Sequence, residues 1–227
     1  EKNVGAEGNI HRAIKASRGE YVLVAGDDDY YLDGSLLMLL GNIIQHRRAA
    51  LFFLRNNYGS CEKNRGTGCL EYIASVGYFM TWISGVVMRR ELYDSIEEPQ
   101  KYDATHLPQV YLQMEILKRN PEFVVFYGPM VSKTSGDCLP SGFNLAEVFI
   151  KNYLDILMAT VEIPASLLSL EKKRLMEEHC AQIATDKVAA YCHYCLLGLN
   201  LGGKKGFHLA RLLFEPENVC GGKYASR

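Results

Sequence analysis

Three consecutive carboxylates, Asp27, Asp28 and Asp29, follow the unbroken apolar run 21–25 after a single glycine, Gly26. Like charges a few ångströms apart raise one another's pKa, so such a triplet is costly unless a cation shares it. Short, hard oxygen ligands in small number suit Mg²⁺ or Mn²⁺ held jointly with a substrate phosphate, not a closed protein cage. An apolar run that does not alternate predicts a strand covered on both faces. Ligands of open α/β sheets bind outside the carboxyl ends of such strands, which is where the acids fall. On the triplet alone, a solvated acidic turn is the competing reading. Further along, Asp103 and His106 precede a helical pattern, and either side chain can accept a proton near neutral pH. Alternatively Asp103 or Thr105 caps that helix, with Pro108 in its first turn.

The elements that must position these residues alternate. Residues 9–17 carry apolar positions at helical spacing, 20–26 read as a strand, 34–48 as a second helix and 50–54 as a further short strand. Residues 55–68 are polar and contain glycine, which predicts an exposed loop. Residues 72–80 read as a short helix or strand, 84–88 as a strand, 107–118 as a helix and 122–127 as a strand. After Pro140 the pattern is helical, over 145–161, 168–199 and 206–214. The alternation predicts an α/β layered fold over residues 1–140 and a helical appendage over 141–227.

Composition narrows the class. The chain has 227 residues, 48% hydrophobic and 22% charged, enough for one substantial core. A formal net charge of -1 supplies no field that would draw in a polyanion, so nucleic acid is not an indicated partner. No apolar stretch approaches the ~20 residues that span a bilayer. Seven cysteines, an odd number in a chain too large to need staples, fit reduced thiols in a cytoplasmic compartment.

The stretch from Asn3 through Gly5, Gly8 and Asn9 to Ala13, then Gly19-Glu20-Tyr21, then Gly26-Asp27-Asp28-Asp29-Tyr30, resembles the central signature of family 2 nucleotide-sugar glycosyltransferases of the GT-A fold. There an N-x-G-x-x-G-N loop leads into a helix, a G-E-Y strand and a metal-binding D-x-D element. The resemblance implies a Rossmann-like, mostly parallel sheet and a donor site drawing on Asn3, Gly5, Asn9 and Asp27. It implies a divalent metal on Asp28 with Asp29, and single-displacement transfer with inversion. The family's first acid falls on Gly26, which puts its usual contact in doubt, and Asp27 or Asp29 is left to replace it. His11 stands where Asn is common and reads as an ordinary helix-surface residue. The segment 80–90 resembles the family's acceptor-side turn, which implies acceptor contacts from Trp82, Ser84 and Gly85. Trp82, the single tryptophan, could stack on a sugar ring or fill the core.

The family's usual acidic pair at the next helix start is absent. Asp103 and His106 stand in its place, and His106 fits a subset of bacterial polysaccharide and O-antigen transferases with a similar helix start. The acceptor implied is a saccharide or a lipid-linked molecule. A non-catalytic carbohydrate-binding or scaffold protein that lost its base is the alternative, and a nucleotidyltransferase a further one. The GT-A fold ordinarily begins with βαβ elements ahead of the loop holding Asn3, so the chain reads as starting partway through the domain. The C-x-x-C at Cys192 and Cys195 reads as small core residues sharing a helix face. Residues 204–214 mix basic and apolar side chains as interfacial helices do, a hint of peripheral contact at the inner face of the cell membrane.

Overall fold

The computed structural model describes residues 3–56, 63–133, 147–175 and 177. Helix α1 (Gly5–Ala16) precedes strand β1 (Tyr21–Leu23), β2 (Asp29–Tyr31), α2 (Ser35–Gln45), β3 (Leu51–Arg55) and β4 (Lys63–Thr67). Then come α3 (Cys69–Val76), a 3-10 segment (Gly77–Thr81, Ile83–Gly85), β5 (Val86–Arg89), α4 (Arg90–Asp94), α5 (Pro108–Arg119), β6 (Glu122–Tyr127) and β7 (Val131–Lys133). A π-helical turn (Glu147–Asn152) leads into α6 (Tyr153–Thr160), followed by α7 (Ala165–Arg174).

The central sheet has the order β1-β5-β3-β6-β4, and a second ribbon pairs β2 with β7. Strands β1, β3 and β6 run one way while β5 and β4 run the other. The shared direction of β1, β3 and β6 matches the parallel character expected of the sheet. The interleaved antiparallel strands make it mixed, with β3 and β6 the directly parallel pair. Strand β3 is the centre: Leu51, Phe52, Phe53 and Leu54 are at most 1% exposed. Phe53 joins one core with Tyr72, Val110 and Ile156, and Phe52 joins a second with Leu39, Val87 and Val131. Burial of each ring stabilises by about 1.5–3 kcal/mol relative to exposure.

Helix α5 is buried along most of its length, wedged between the sheet and α6. Pro108 at its first turn and Lys118 and Arg119 in its last suit the helix dipole. Two expectations change. Residues 63–67 are a strand at the sheet edge, antiparallel to β6, not part of a loop. Helix α1 begins at Gly5, so the glycines of the presumed loop are its first turns. Among the described residues, 147–175 add Tyr153, Ile156, Leu157 and Leu175 to the same core as the sheet. The patterns at 176–199 and 206–214, with Cys192 and Cys195, lie outside the described residues apart from residue 177.

Candidate active site

The acids sit in a turn between β1 and β2. The Asp29 N–H donates to the Gly26 carbonyl at 3.4 Å, leaving Asp27 and Asp28 exposed at the centre of the turn. Asp29 is half-buried and is the first residue of β2. The segment 82–85 clamps this turn. Trp82 Nε1–H donates to Asp29 Oδ2 at 2.9 Å, the Gly26 N–H donates to Ser84 Oγ at 2.8 Å, and the Tyr31 hydroxyl donates to the Ser84 carbonyl at 2.8 Å. Burial, then the charge of Asp29, pushes the Tyr31 pKa up to about 12, so it stays a donor.

At Gly26 a Cβ would lie 2.8 Å from Asp28 Oδ1, the far end of an exposed side chain, and at ordinary contact distance, 3.5 Å and 3.6 Å, from Ser84 Oγ and Asp29 Oδ2. The Asp28 and Asp29 carboxylates thus flank a bare Cα. Asp29 Oδ1 is buried with no hydrogen-bond partner among the described residues. An unpaired buried acceptor costs about 1–3 kcal/mol, and more when charged. A hard divalent cation would remove that cost, so the donor set fits Mg²⁺ or Mn²⁺. Among the described residues no group of three or more His, Cys, Asp or Glu could enclose a metal ion, so the remaining ligands would have to come from phosphate and water.

Ser84 is fully buried and its oxygens are engaged by Gly26 and Tyr31. Gly85 is also buried, and a Cβ on it would meet the Trp82 ring at 3.0 Å and the Leu54 carbonyl at 3.1 Å. Of the acceptor-side trio, only the half-buried Trp82 offers side-chain surface. It neither fills the core nor stands clear of it: its ring edges the second core and its N–H orients Asp29.

A second cluster joins α1 to the segment ahead of α5. His11 is 2% exposed, against the expectation of a surface position. Its Nε2 lies 2.8 Å from Asp103 Oδ1 and its Nδ1 2.8 Å from the Tyr93 hydroxyl. Burial, with the charges of Asp94 and Asp103, pushes the Tyr93 pKa up to about 12. Tyr93 thus keeps its proton, and in the tautomer with the ring proton on Nε2 its hydroxyl donates to Nδ1 while the Asp103 carboxylate accepts from Nε2–H. Asp103 therefore anchors a buried imidazole instead of capping α5, and Thr105 Oγ1 accepts the Leu107 N–H at 3.2 Å.

One turn earlier on α1, Glu7 Oε1 lies 2.7 Å from His106 Nδ1. His106 has φ 62°, the one positive φ at a non-glycine among the described residues. Left-handed backbone at such a residue costs on the order of 1 kcal/mol and gathers at functional positions. Just beyond it, Gln109 Nε2 donates to the Thr81 carbonyl and Gln113 Nε2 to the Met80 carbonyl, at 2.5 and 2.8 Å. His106 is thus coupled through the first turns of α5 to the segment that holds Asp29. Asn3 Oδ1 accepts the Gly5 N–H at 3.0 Å to start α1, and Asn9 is exposed on that helix. Sequence reasoning missed Glu7 and Tyr93. The four-residue spacing of Glu7 and His11, which puts both on one helix face, was the available signal.

Residues 1–94 match the family model described as Glycosyl transferase family 2. No curated protein matches the chain. The family match supports a family 2 glycosyltransferase domain, with glycosyl transfer from a nucleotide-sugar donor to an acceptor as its general chemistry. It spans α1, the acidic turn and the 82–85 clamp, and ends before Asp103 and His106.

Proposed function

From that family match, we propose that the domain is a metal-dependent inverting glycosyltransferase that moves a sugar from a nucleotide-sugar donor to a saccharide or lipid-linked acceptor in cell-surface polysaccharide synthesis at the cytoplasmic side. The observation that carries this reading is the pair of carboxylates over Gly26, one with a buried oxygen that has no partner among the described residues. Asp28 and Asp29 would hold Mg²⁺ or Mn²⁺, with Asp27 and the start of α1 (Asn3, Gly5, Asn9) toward the donor. The metal, when bound, would neutralise the departing diphosphate.

The chain's own residues do the rest. Trp82 fixes Asp29 through its indole N–H and turns its remaining face toward an acceptor ring. His106 takes the proton from the attacking hydroxyl, and the Glu7 carboxylate on Nδ1 orients the ring and stabilises the imidazolium that forms. Asp103 is the less suited base because its carboxylate is committed to His11, and it serves to hold the segment. Nucleotide-sugar hydrolysis, screened over a donor panel with Mn²⁺, tests this. Turnover should require the metal and fall by on the order of 10²-fold or more in Asp28→Ala and His106→Ala variants that keep their circular dichroism. Hydrolysis indifferent to chelator and to both changes would sink the assignment and favour a carbohydrate-binding role.

A further inference from the structure

Helix α2 is built the wrong way round for a core helix. Only Ser35 and Leu39 are buried, while Leu37, Ile44 and Leu40 are 76%, 63% and 56% exposed, with Leu36 and Met38 close behind. Leu37, Leu40 and Ile44 lie three and four residues apart, so they form one apolar row. No charged side chain occurs between Asp33 and Arg47. A contiguous exposed apolar face of this kind marks an interaction surface.

Chemistry at the end of the row says what meets it. Arg47 and Arg48 follow the helix, and with Arg65 they line a cavity of about 540 Å³ in which Glu122 is the sole acid. The backbone beneath them is pinned. The Tyr21 hydroxyl donates to the Arg47 and Ala49 carbonyls at 3.1 and 2.9 Å, Arg89 also donates to the Arg47 carbonyl, and Asn120 Nδ2 donates to the Arg48 carbonyl at 2.9 Å. The main chain is held while both guanidinium-bearing side chains stay exposed, and neither forms an ion pair with a described residue. The cavity lies where β3 and β6 begin, at the opposite end of those strands from the acidic turn.

We propose that α2 and the arginines behind it dock on an anionic lipid bilayer, the apolar row entering the acyl boundary and Arg47, Arg48 and Arg65 meeting lipid phosphates. A charge-free apolar helix with basic residues at one end has the composition of an interfacial element. No helix among the described residues is long and apolar enough to cross the bilayer, so the contact lies in the interface. This surface is independent of the proposed transfer reaction and stands or falls without it.

The test is sedimentation of the full chain with vesicles of phosphatidylcholine alone and of phosphatidylcholine with phosphatidylglycerol, at low and high salt. The chain should bind the anionic vesicles in preference. Arg47→Gln and Arg48→Gln should each weaken binding about fivefold, and Leu37→Gln with Ile44→Gln should weaken it on the order of tenfold. High salt should remove the arginine-dependent part. Absence of binding overturns the proposal, as does binding unchanged in the α2 and arginine variants, which would assign the contact to another part of the chain. Size-exclusion chromatography supplies the remaining outcome: a dimer dispersed by Leu37→Gln with Ile44→Gln would give the row to a second copy. Circular dichroism of each variant secures the comparison, since all four positions are exposed and polar replacements there leave the core untouched.

Discussion

Replacing His11 by Leu gives the sharpest test of the buried cluster, because the two partners of the imidazole respond differently. The Tyr93 hydroxyl lies on a side chain 2% exposed and would be left without an acceptor, at a cost of about 1–3 kcal/mol. The Asp103 side chain is 28% exposed, so water can replace its lost bond, and about 0.5–1.5 kcal/mol is the share to assign. The sum is about 1.5–4.5 kcal/mol, reduced by the extra apolar surface of leucine. With a urea m-value of about 2 kcal/mol/M, the unfolding midpoint should fall by about 1–2 M. Tyr93→Phe alone strands Nδ1 of the buried ring and should cost about 1–2 kcal/mol. The double variant replaces both members of that bond by apolar groups, so it should be more stable than the sum of the single effects predicts, by at least about 1 kcal/mol. Urea unfolding of the four proteins, followed by far-ultraviolet circular dichroism, closes the cycle. Effects that add within about 0.5 kcal/mol would refute the claim that the His11–Tyr93 bond matters.

Two further outcomes follow from local geometry. Glu171 is 1% exposed, and burial raises its pKa against the opposing hydrogen bond from Tyr153 and the charge of Arg174. The folded chain then holds that proton above the ordinary carboxylate pKa of about 4.3, so its contribution to stability is complete below that pH and is lost as pH rises through the raised value. Glu171→Gln should remove this dependence, gaining on wild type between mildly acidic and neutral pH in urea midpoints, and a parallel pair of profiles would contradict it. At His106, the left-handed backbone should make His106→Gly about 1 kcal/mol more stable than His106→Ala in the same assay, while both lose turnover. Equal stabilities would show that the φ of 62° carries no strain.

The regular elements were legible because each depends on neighbours in sequence. The runs at Leu51–Arg55 and Glu122–Tyr127 and the helix ending in Lys118 and Arg119 are visible from apolar continuity, length and terminal charge. Strand β4 was not, because Lys-Asn-Arg-Gly-Thr has no β-forming pattern and owes its state to pairing with β6. Gly66 permits that pairing, since a Cβ there would run into the Phe123 ring. The burial of His11 was hidden for a different reason: its partners lie 82 and 92 residues away, and nothing in the helical pattern announces them. Helix α2 shows the converse limit. Periodicity identifies a helix rich in leucine and isoleucine, but not which of its faces the sheet covers.

Gly26 and Asp29 are better understood together than as a lost acid and an extra one. A side chain at position 26 would require the Asp28 carboxylate to shift, while the Ser84 hydroxyl that accepts the Gly26 N–H would stay at ordinary contact distance. The Asp29 carboxylate enters the vicinity from the other end of the turn, and Trp82 and Ser84, two residues apart, hold the turn at both ends. A carboxylate supplied from position 29 can be locked by an indole N–H, whereas one from position 26 would have to displace Asp28 to reach the same space. On the proposed metal-site reading, the departure from the D-x-D spacing keeps two carboxylates and changes which backbone position delivers one of them. The segment 82–85 sets that geometry, which gives a buried serine and a buried glycine a role in the site without direct contact to an acceptor.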